Sequence, residues 1–202
     1  MIMHKGRKTA IAMLALLMLI GGALYLGAQD APEMPEMPGP EPEHAWLKQL
    51  VGEWESIAEV KMAPDQPAQQ FASTDTCRML GEFWMIQESE GKMAEMPFNS
   101  ILTLGYDPET DKYVGTWVDS MGSHLWRYEG TVDEEGKVLT LETEGPCPLK
   151  GMAIGKFRER VEIVNPDHRI FTSTAEDENG EWVTMVTIHS TRKGTETAKA
   201  DM

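Results

Sequence analysis

The sequence predicts an all-β protein, an up-and-down antiparallel barrel of about ten strands with one short N-terminal helix capping an end. Two observations support this prediction. A short amphipathic segment runs directly into Gly52 and Trp54, and apolar and polar residues alternate along most of the chain after it. Short segments rich in turn-forming residues separate the alternating stretches. Because an open meander of ten strands would expose two long edges, closure into a barrel is favoured.

The first 29 residues are predicted to form a targeting segment. Lys5, Arg7 and Lys8 precede a run without charged residues from 9 to 29. A basic flank stays in the cytoplasm, so we expect the rest of the chain to be exported, as a periplasmic or secreted protein. The apolar span, residues 10–26, is short for a membrane-crossing helix but long for a signal-peptide core. A cleaved signal peptide and a retained membrane anchor therefore both remain open.

A linker and a short helix follow this segment. Residues 30–43 are rich in proline, glutamate and methionine. This composition is typical of an extended spacer, because proline lacks a backbone donor and the carboxylates repel one another. The barrel domain is predicted to span residues 44–193, with a disordered tail at 194–202. Its first element is the helix, in which Trp46 and Leu50 are spaced to lie on one face.

Ten strands are predicted after the helix, because apolar and polar residues alternate between turn signals. In one such stretch, Leu139 and Leu141 flank Thr140. Asn179 and Gly180 form a pair typical of a tight hairpin, since both residue types tolerate positive φ angles. Short turns place consecutive strands side by side and antiparallel. The predicted spans are 53–62, 69–79, 82–90, 98–106, 112–120, 123–131, 137–144, 156–164, 168–176 and 180–191.

The predicted domain has an acidic surface. The chain contains 33 acidic and 18 basic residues, for a net charge of −15. Three of the basic residues lie in the targeting segment, so the domain itself is still more acidic. Such a surface repels phosphate backbones and anionic lipid headgroups. We therefore exclude nucleic acid as a partner and expect membrane contact only through residues 1–29. The sequence leaves the oligomeric state open.

Seven short motifs follow one another along the chain. They are His44-x-Trp46-Leu47, Leu50-Val51-Gly52-Glu53-Trp54, Leu104-Gly105-Tyr106-Asp107-Pro108, Gly115-Thr116-Trp117, Asp119-Ser120-Met121, His124-Leu125-Trp126-x-Tyr128-Glu129-Gly130 and Thr191-Arg192-Lys193. This ordered set resembles the family called domain of unknown function 1579, over about residues 41–193. The resemblance implies a calycin-like barrel, the architecture of lipocalins and fatty-acid-binding proteins, with no assigned activity. In calycin-like relatives the tryptophan of Gly-x-Trp packs across one barrel end and the glycine lets it approach. This assigns Gly52 and Trp54 to a structural barrel-end motif.

The candidate ligand site is the interior of the barrel. A barrel of ten strands is too wide to be filled by its own side chains and tends to enclose a cavity. Ligand cavities are mostly apolar with a few placed polar groups. The candidate ligand-binding residues are therefore aromatic and histidine side chains of middle and terminal strands: Trp84, Trp117, His124, Trp126 and His189. His189 is the expected polar contact. An error of one residue in register would turn any of these side chains outward.

The sequence assigns no catalytic residue and no metal site. It contains no Gly-x-Ser-x-Gly, no phosphate-binding glycine-rich loop, no His-Glu-x-x-His and no Cys-x-x-Cys. A weaker resemblance to the nitrobindins, barrels that hold heme through a histidine near the end of the chain, implies heme as an alternative cofactor with His189 as its ligand. Without that alternative, no cofactor is expected. A disulfide between Cys77 and Cys147 remains open, because export would permit it.

These observations favour an exported barrel that binds a small, largely apolar ligand in the cell envelope. One alternative is a heme-binding or enzymatic barrel of the nitrobindin kind, which a cavity with convergent polar residues would favour. Another alternative is a membrane-tethered interaction module, suggested by the combination of an apolar segment, a spacer and an acidic domain. The identity of the ligand does not follow from the sequence.

Overall fold

The computed structural model describes residues 39–61 and 67–194. The predicted targeting segment, most of the linker and the predicted tail after residue 194 lie outside the described residues. Within the described part of the chain, no helix is long and apolar enough to cross a membrane.

One short helix, α1 (Pro42–Leu47), continues into a single 3-10 turn (Lys48–Leu50). Pro42 lies in the first turn of the helix. Proline is tolerated there because the backbone N–H that it lacks would have no partner within the helix. A helix of six residues is too short to be stable by itself. The burial of Leu47 and Leu50 against the barrel therefore stabilises it.

Ten antiparallel strands close into a barrel in which consecutive strands pair and β1 pairs with β10. The predicted all-β, up-and-down barrel with one short helix is confirmed, and the strand bounds lie within a few residues of the predicted spans. The sixth strand begins later than predicted, at Trp126, because residues 120–125 form a loop. The strands are β1 (Gly52–Val60), β2 (Gln69–Leu80), β3 (Trp84–Met93), β4 (Met96–Asp107), β5 (Lys112–Asp119), β6 (Trp126–Val132), β7 (Val138–Pro146), β8 (Ile154–Asn165), β9 (His168–Glu176) and β10 (Trp182–Arg192).

The last hairpin shows how turn residues define the meander. The Asp177 carboxylate accepts hydrogen bonds of 2.8 Å from the backbone N–H groups of Asn179 and Glu181. Of the predicted Asn179-Gly180 pair, only Gly180 adopts a positive φ, +82°. The connection is therefore a longer turn than the two-residue hairpin that the pair predicts, although β9 and β10 pair as expected.

Side chains alternate between the barrel interior and the outer surface. On β1, Trp54 and Ser56 are buried, whereas Glu55 is exposed. The alternation is interrupted on β10, where a bulge between Thr184 and Val186 adds one residue. Beyond such a bulge the faces of the strand are exchanged relative to a regular alternation. The bulge therefore decides which side chains of the last strand reach the interior.

The two ends of the barrel differ. The closed end is covered by α1, which is held by hydrogen bonds from the Trp46 indole to the Gly136 carbonyl (2.8 Å) and from the Tyr113 hydroxyl to the Glu43 carbonyl (2.9 Å). The main apolar core lies beneath the helix. The opposite end is bordered by the loops that precede β6 and β8. We call it the open end because inward-facing side chains near it, such as Trp117, remain partly exposed.

Candidate functional site

Trp54 lies at the closed end of the barrel. The side chain is 1% exposed, and its indole N–H donates a hydrogen bond of 2.9 Å to the Leu50 carbonyl. The guanidinium groups of Arg169 and Arg192 lie 4.5 and 4.2 Å from its ring centroids. Gly52, with a φ of +135°, lets Arg192 approach, because a side chain at position 52 would meet that guanidinium. The Gly-x-Trp motif thus lies at a barrel end.

A buried ion pair lies next to Trp54 inside the barrel. Arg169 and Asp75 are 3.3 Å apart, and each side chain is 7% exposed. The Asp75 carboxylate also accepts a hydrogen bond of 2.7 Å from the Ser56 hydroxyl, and Arg169 donates one of 3.1 Å to the Gln87 side-chain carbonyl. Burial raises the pKa of the neighbouring Cys77 thiol, an effect that the Arg169 charge opposes. These polar groups satisfy one another, which offsets the cost of burying charge.

A second polar cluster lies on β7, β8 and β9. The Glu159 carboxylate accepts a hydrogen bond of 3.1 Å from the Ser173 hydroxyl through one oxygen. The other Glu159 oxygen, Oε2, and the Thr143 hydroxyl have no hydrogen-bond partner among the described residues. Burial raises the pKa of Glu159 to about 8, and the Ser173 hydrogen bond opposes the rise. Burial and the Glu159 charge together raise the pKa of Tyr128 on β6.

Glu159 should make the free energy of unfolding depend on pH. Its folded-state pKa, about 8, lies above the ordinary value of 4.5, so the folded state holds this proton more tightly than the unfolded chain does. The stability that comes from holding this proton is fully present below the Glu159 pKa of the unfolded chain. It is lost as the pH rises through the Glu159 pKa of the folded state. The wild type should therefore lose stability as the pH rises from about 5 to about 9, whereas Glu159→Gln stays neutral and should not. The free energy of unfolding of the variant, relative to that of the wild type, should rise over this range by an amount on the order of a few kcal/mol.

Urea unfolding at both pH values measures this difference. Glu162→Gln is the matched control, because it removes the same charge from an exposed position on the same strand. The control should follow the wild type across the pH range. If Glu159→Gln showed the same pH dependence as Glu162→Gln, the assignment of a raised pKa to Glu159 would be wrong.

Aromatic side chains form the wall of the barrel interior near the open end. The ring of Trp126 lies 6.3 Å from Trp117 and 5.0 Å from Phe157, with the rings edge to face. Trp126 also packs on Gly145, where an added Cβ would meet its ring. His124 lies in the loop before β6, and its ring centroid is 5.0 Å from that of Trp126. The Nε2 atom of His124 lies 3.1 Å from the Glu144 carbonyl oxygen. The structure therefore brings together three of the five predicted ligand residues: Trp117, His124 and Trp126.

The other two predicted ligand residues, Trp84 and His189, lie on the outer surface. Trp84 is 41% exposed and packs on Gly105, while the next residue, Met85, points inward and is fully buried. His189 is exposed and stacks on His168, with ring centroids 5.7 Å apart. The bulge on β10 explains this orientation, since a regular alternation from Val183 or Met185 would place His189 inside. Neither residue lines the interior.

The position of His189 does not fit heme bound inside the barrel. Its ring faces away from the interior, so it cannot hold a group that is bound there. No group of three or more histidine, cysteine or acidic side chains in the described ranges could hold a metal ion. Cys77 and Cys147 are free thiols that belong to separate apolar clusters, so the structure contains no bridge between them.

The polar residues of the interior were not among the predicted site residues. Asp75, Arg169 and Glu159 belong to the inward rows of their strands, and Ser56 and Ser173 join them there. One signal was present: Glu159 interrupts an otherwise apolar row on β8, between Phe157 and Val161. An acidic residue in the buried row of a strand indicates a polar site inside the barrel.

The interior of the barrel is accessible to solvent. Serine, which has a small side chain, occupies many inward positions. Larger inward side chains such as Leu102, Trp126 and Phe171 are only partly buried, so solvent reaches the interior. Two shallow grooves of about 630 and 390 Å³ lie along the outside of β2 to β4. They lack the aromatic wall and the ion pair of the interior. The inward serines are Ser56, Ser73, Ser89, Ser100, Ser173 and Ser190.

Comparison with solved structures supports the assignment of the fold. The S-type phycobiliprotein lyase CPES from Guillardia theta is similar with a TM-score of 0.52 and 16% identity, over 76% of this chain and 94% of that chain. Rv2717c from M. tuberculosis is similar with a TM-score of 0.53 and 13% identity, over 77% of this chain and 99% of that chain. At these identities the likeness shows the fold alone. A search of curated proteins gives no match.

A family model with the description "Protein of unknown function (DUF1579)" matches residues 39–192. The match includes α1 and all ten strands of the barrel. The chain therefore belongs to the DUF1579 family.

Proposed function

We propose that this chain is an exported protein that binds a small, largely apolar molecule inside its barrel, in the cell envelope. The observation that supports the proposal best is the aromatic wall near the open end. Trp117 and Trp126 face inward there and remain partly exposed, so their rings offer apolar surface that a ligand can cover. Covering such surface is the main source of affinity in most small-molecule sites.

The polar groups of the interior favour binding over catalysis. Arg169, Asp75 and Ser56 are engaged with one another, and such mutual hydrogen bonds hold the side chains in fixed positions. Glu159 has one hydrogen-bond partner, Ser173, and the side-chain hydrogen bonds of the histidines in the described ranges go to residues outside this cluster. A nucleophile needs an adjacent base that is itself oriented by a third group. The cluster around Glu159 lacks that third group and is better suited to recognising a ligand.

The proposal of export rests on the N-terminal sequence. A basic flank followed by a long uncharged run is the pattern that directs the following chain out of the cytoplasm. The acidic domain would stay in solution, because it is repelled by anionic lipid headgroups.

One experiment tests both parts of this proposal. The full chain is produced in its native host, the cells are fractionated, and a native mass spectrum is recorded for the protein from the extracytoplasmic fraction. We expect a complex whose mass exceeds that of the polypeptide by one small molecule. Protein confined to the cytoplasm would contradict export, and an unliganded mass after exposure to host lipid and metabolite extracts would contradict binding.

Two tryptophan variants locate the bound molecule. Trp126→Ala removes a ring from the aromatic wall, whereas Trp182→Ala removes a ring that is 37% exposed on the outer surface. We expect the mass of the small molecule to be lost or reduced in Trp126→Ala alone. Far-ultraviolet circular dichroism checks that both variants are folded. Equal retention of the molecule in both variants would place the ligand outside the barrel interior.

A further inference from the structure

Two unsatisfied polar atoms face the barrel interior between the aromatic wall and the closed end. They are Oε2 of Glu159 and the hydroxyl oxygen of Thr143, in side chains of residues that are 5% and 7% exposed. Nearly all buried polar groups in proteins have a hydrogen-bond partner, so each such atom requires an explanation. The ion pair near the closed end differs in this respect, because Asp75 and Arg169 have partners.

The strand register makes the side chains that carry these two atoms neighbours on the inner face of the barrel. Glu159 pairs with Leu141 and Phe157 pairs with Thr143, so Thr143 and Glu159 are diagonal neighbours on the inner face. Ser173 lies beside Glu159 on β9, and Tyr128 on β6 is close enough for its ionisation to respond to Glu159. Phe157, next to Glu159 in the inward row, contacts Trp126. The unsatisfied atoms therefore lie directly beyond the aromatic wall.

We infer that Glu159 and Thr143 form a subsite for a protonated amine, and that the ligand of this barrel is a largely apolar molecule with an ammonium group. This inference rests on the proposed function and names the chemistry of its ligand. An ammonium group carries donors only, and it can donate both to the Glu159 carboxylate and to the Thr143 hydroxyl oxygen. Its charge is compensated by the carboxylate, and the neighbouring aromatic faces attract cations. The apolar part of the ligand would lie against Trp117 and Trp126.

The charge of the domain favours a cation over an anion. The chain has a net charge of −15, which attracts a cation to the protein and repels an anion. A neutral alcohol could donate a single hydrogen bond and would gain no charge interaction. The raised pKa of Glu159, about 8, adds a second expectation. The empty site holds a proton at neutral pH, and binding of an ammonium group should release it.

Three probes of equal chain length test the inference by isothermal titration calorimetry at pH 7: octylamine, 1-octanol and octanoate. We expect octylamine to bind the wild type more tightly than 1-octanol by about tenfold or more, and octanoate to bind most weakly. Glu159→Gln should remove the advantage of octylamine over 1-octanol. Glu162→Gln makes the same substitution at an exposed position of the same strand and should keep the advantage of octylamine. Thr143→Val should weaken octylamine a few-fold and leave 1-octanol unchanged.

Proton release gives an independent measurement on the same samples. Titration of octylamine in two buffers of different ionisation enthalpy should show the release of about one proton per ligand in the wild type and none in Glu159→Gln. Equal affinity for octylamine and 1-octanol, or an advantage that survives in Glu159→Gln, would overturn the inference while the proposed binding function stood. Failure of all three probes to bind would overturn the inference too, and together with an unliganded native mass it would overturn the proposed function as well.

Discussion

Replacing Trp54 with alanine should lower the free energy of unfolding by about 3–5 kcal/mol. The indole is 1% exposed and is the largest of the fully buried side chains in the described part of the chain. Its removal opens a cavity between α1 and the barrel and leaves the Leu50 carbonyl without its donor. It also takes away the ring on which Arg169 and Arg192 lie. Chemical denaturation of the purified protein measures the loss as a lower midpoint.

Two variants separate these contributions. Trp54→Phe keeps a ring but lacks the indole N–H, so its stability should fall between that of the wild type and Trp54→Ala. Trp84→Ala removes the same type of side chain from the outer surface, where it is 41% exposed, and should cost clearly less than Trp54→Ala. An unchanged midpoint for Trp54→Ala, or equal losses at positions 54 and 84, would show that Trp54 does not hold the barrel end together.

The fold could be predicted because its signals are local. Turn residues such as Asp107 and Asp177 accept hydrogen bonds from backbone groups two to four positions later, so each turn is determined by a few adjacent residues. The alternation between turns then defines a strand without knowledge of its partner. Closure of the sheet into a barrel could be predicted because an open sheet would expose two long edges, and this required no prediction of contacts between residues.

The candidate site could be predicted only in part, because it depends on which face of each strand points inward. Trp84 and Met85 are both apolar, so periodicity could not decide between them, and the structure places Met85 inside. On β10, the bulge after Thr184 exchanges the two faces, and no local signal marked it. His189 therefore lies outside, although a regular alternation would place it inside.

The polar interior was harder to predict than the aromatic wall. Asp75 and Arg169 lie 94 residues apart in the chain, and their pairing results from closure of the barrel, which no local pattern records. Arg158 donates a hydrogen bond of 2.8 Å to Glu142 on the outer surface and lies 4.3 Å from the Trp182 ring. Glu142 lies on the strand next to that of Arg158, whereas Asp75 lies on β2, which is not adjacent to the strand of Arg169.

The buried ion pair should show the second large effect. Arg169→Met leaves the Asp75 carboxylate in the interior without its cation, and we expect a loss of about 3–5 kcal/mol in the free energy of unfolding. Ser56 would still donate to Asp75, but a hydroxyl does not compensate the charge. The Gln87 Oε1 atom would still accept a weak hydrogen bond of 3.3 Å from the Cys77 thiol. The uncompensated charge should therefore account for most of the loss.

A double variant distinguishes the cost of an unpaired charge from the value of the pair itself. Arg169→Met combined with Asp75→Leu removes both charges and fills similar volume, and replacing a buried pair in this way is often neutral or stabilising. We expect the double variant to regain most of the stability that the single variant loses. Urea unfolding of the wild type, both single variants and the double variant gives the coupling energy of the pair.

Arg158→Met provides the matched control for this cycle. Its partner, Glu142, is 49% exposed, and surface ion pairs contribute about 0–1 kcal/mol because water and salt screen them. If Arg169→Met cost no more than Arg158→Met, Asp75 would have to be neutral or solvated in the folded protein. A double variant as unstable as Arg169→Met would instead show that the guanidinium stabilises the barrel through its contacts with Trp54 and Gln87. The three outcomes assign the energy of this cluster to charge compensation, to solvation or to packing.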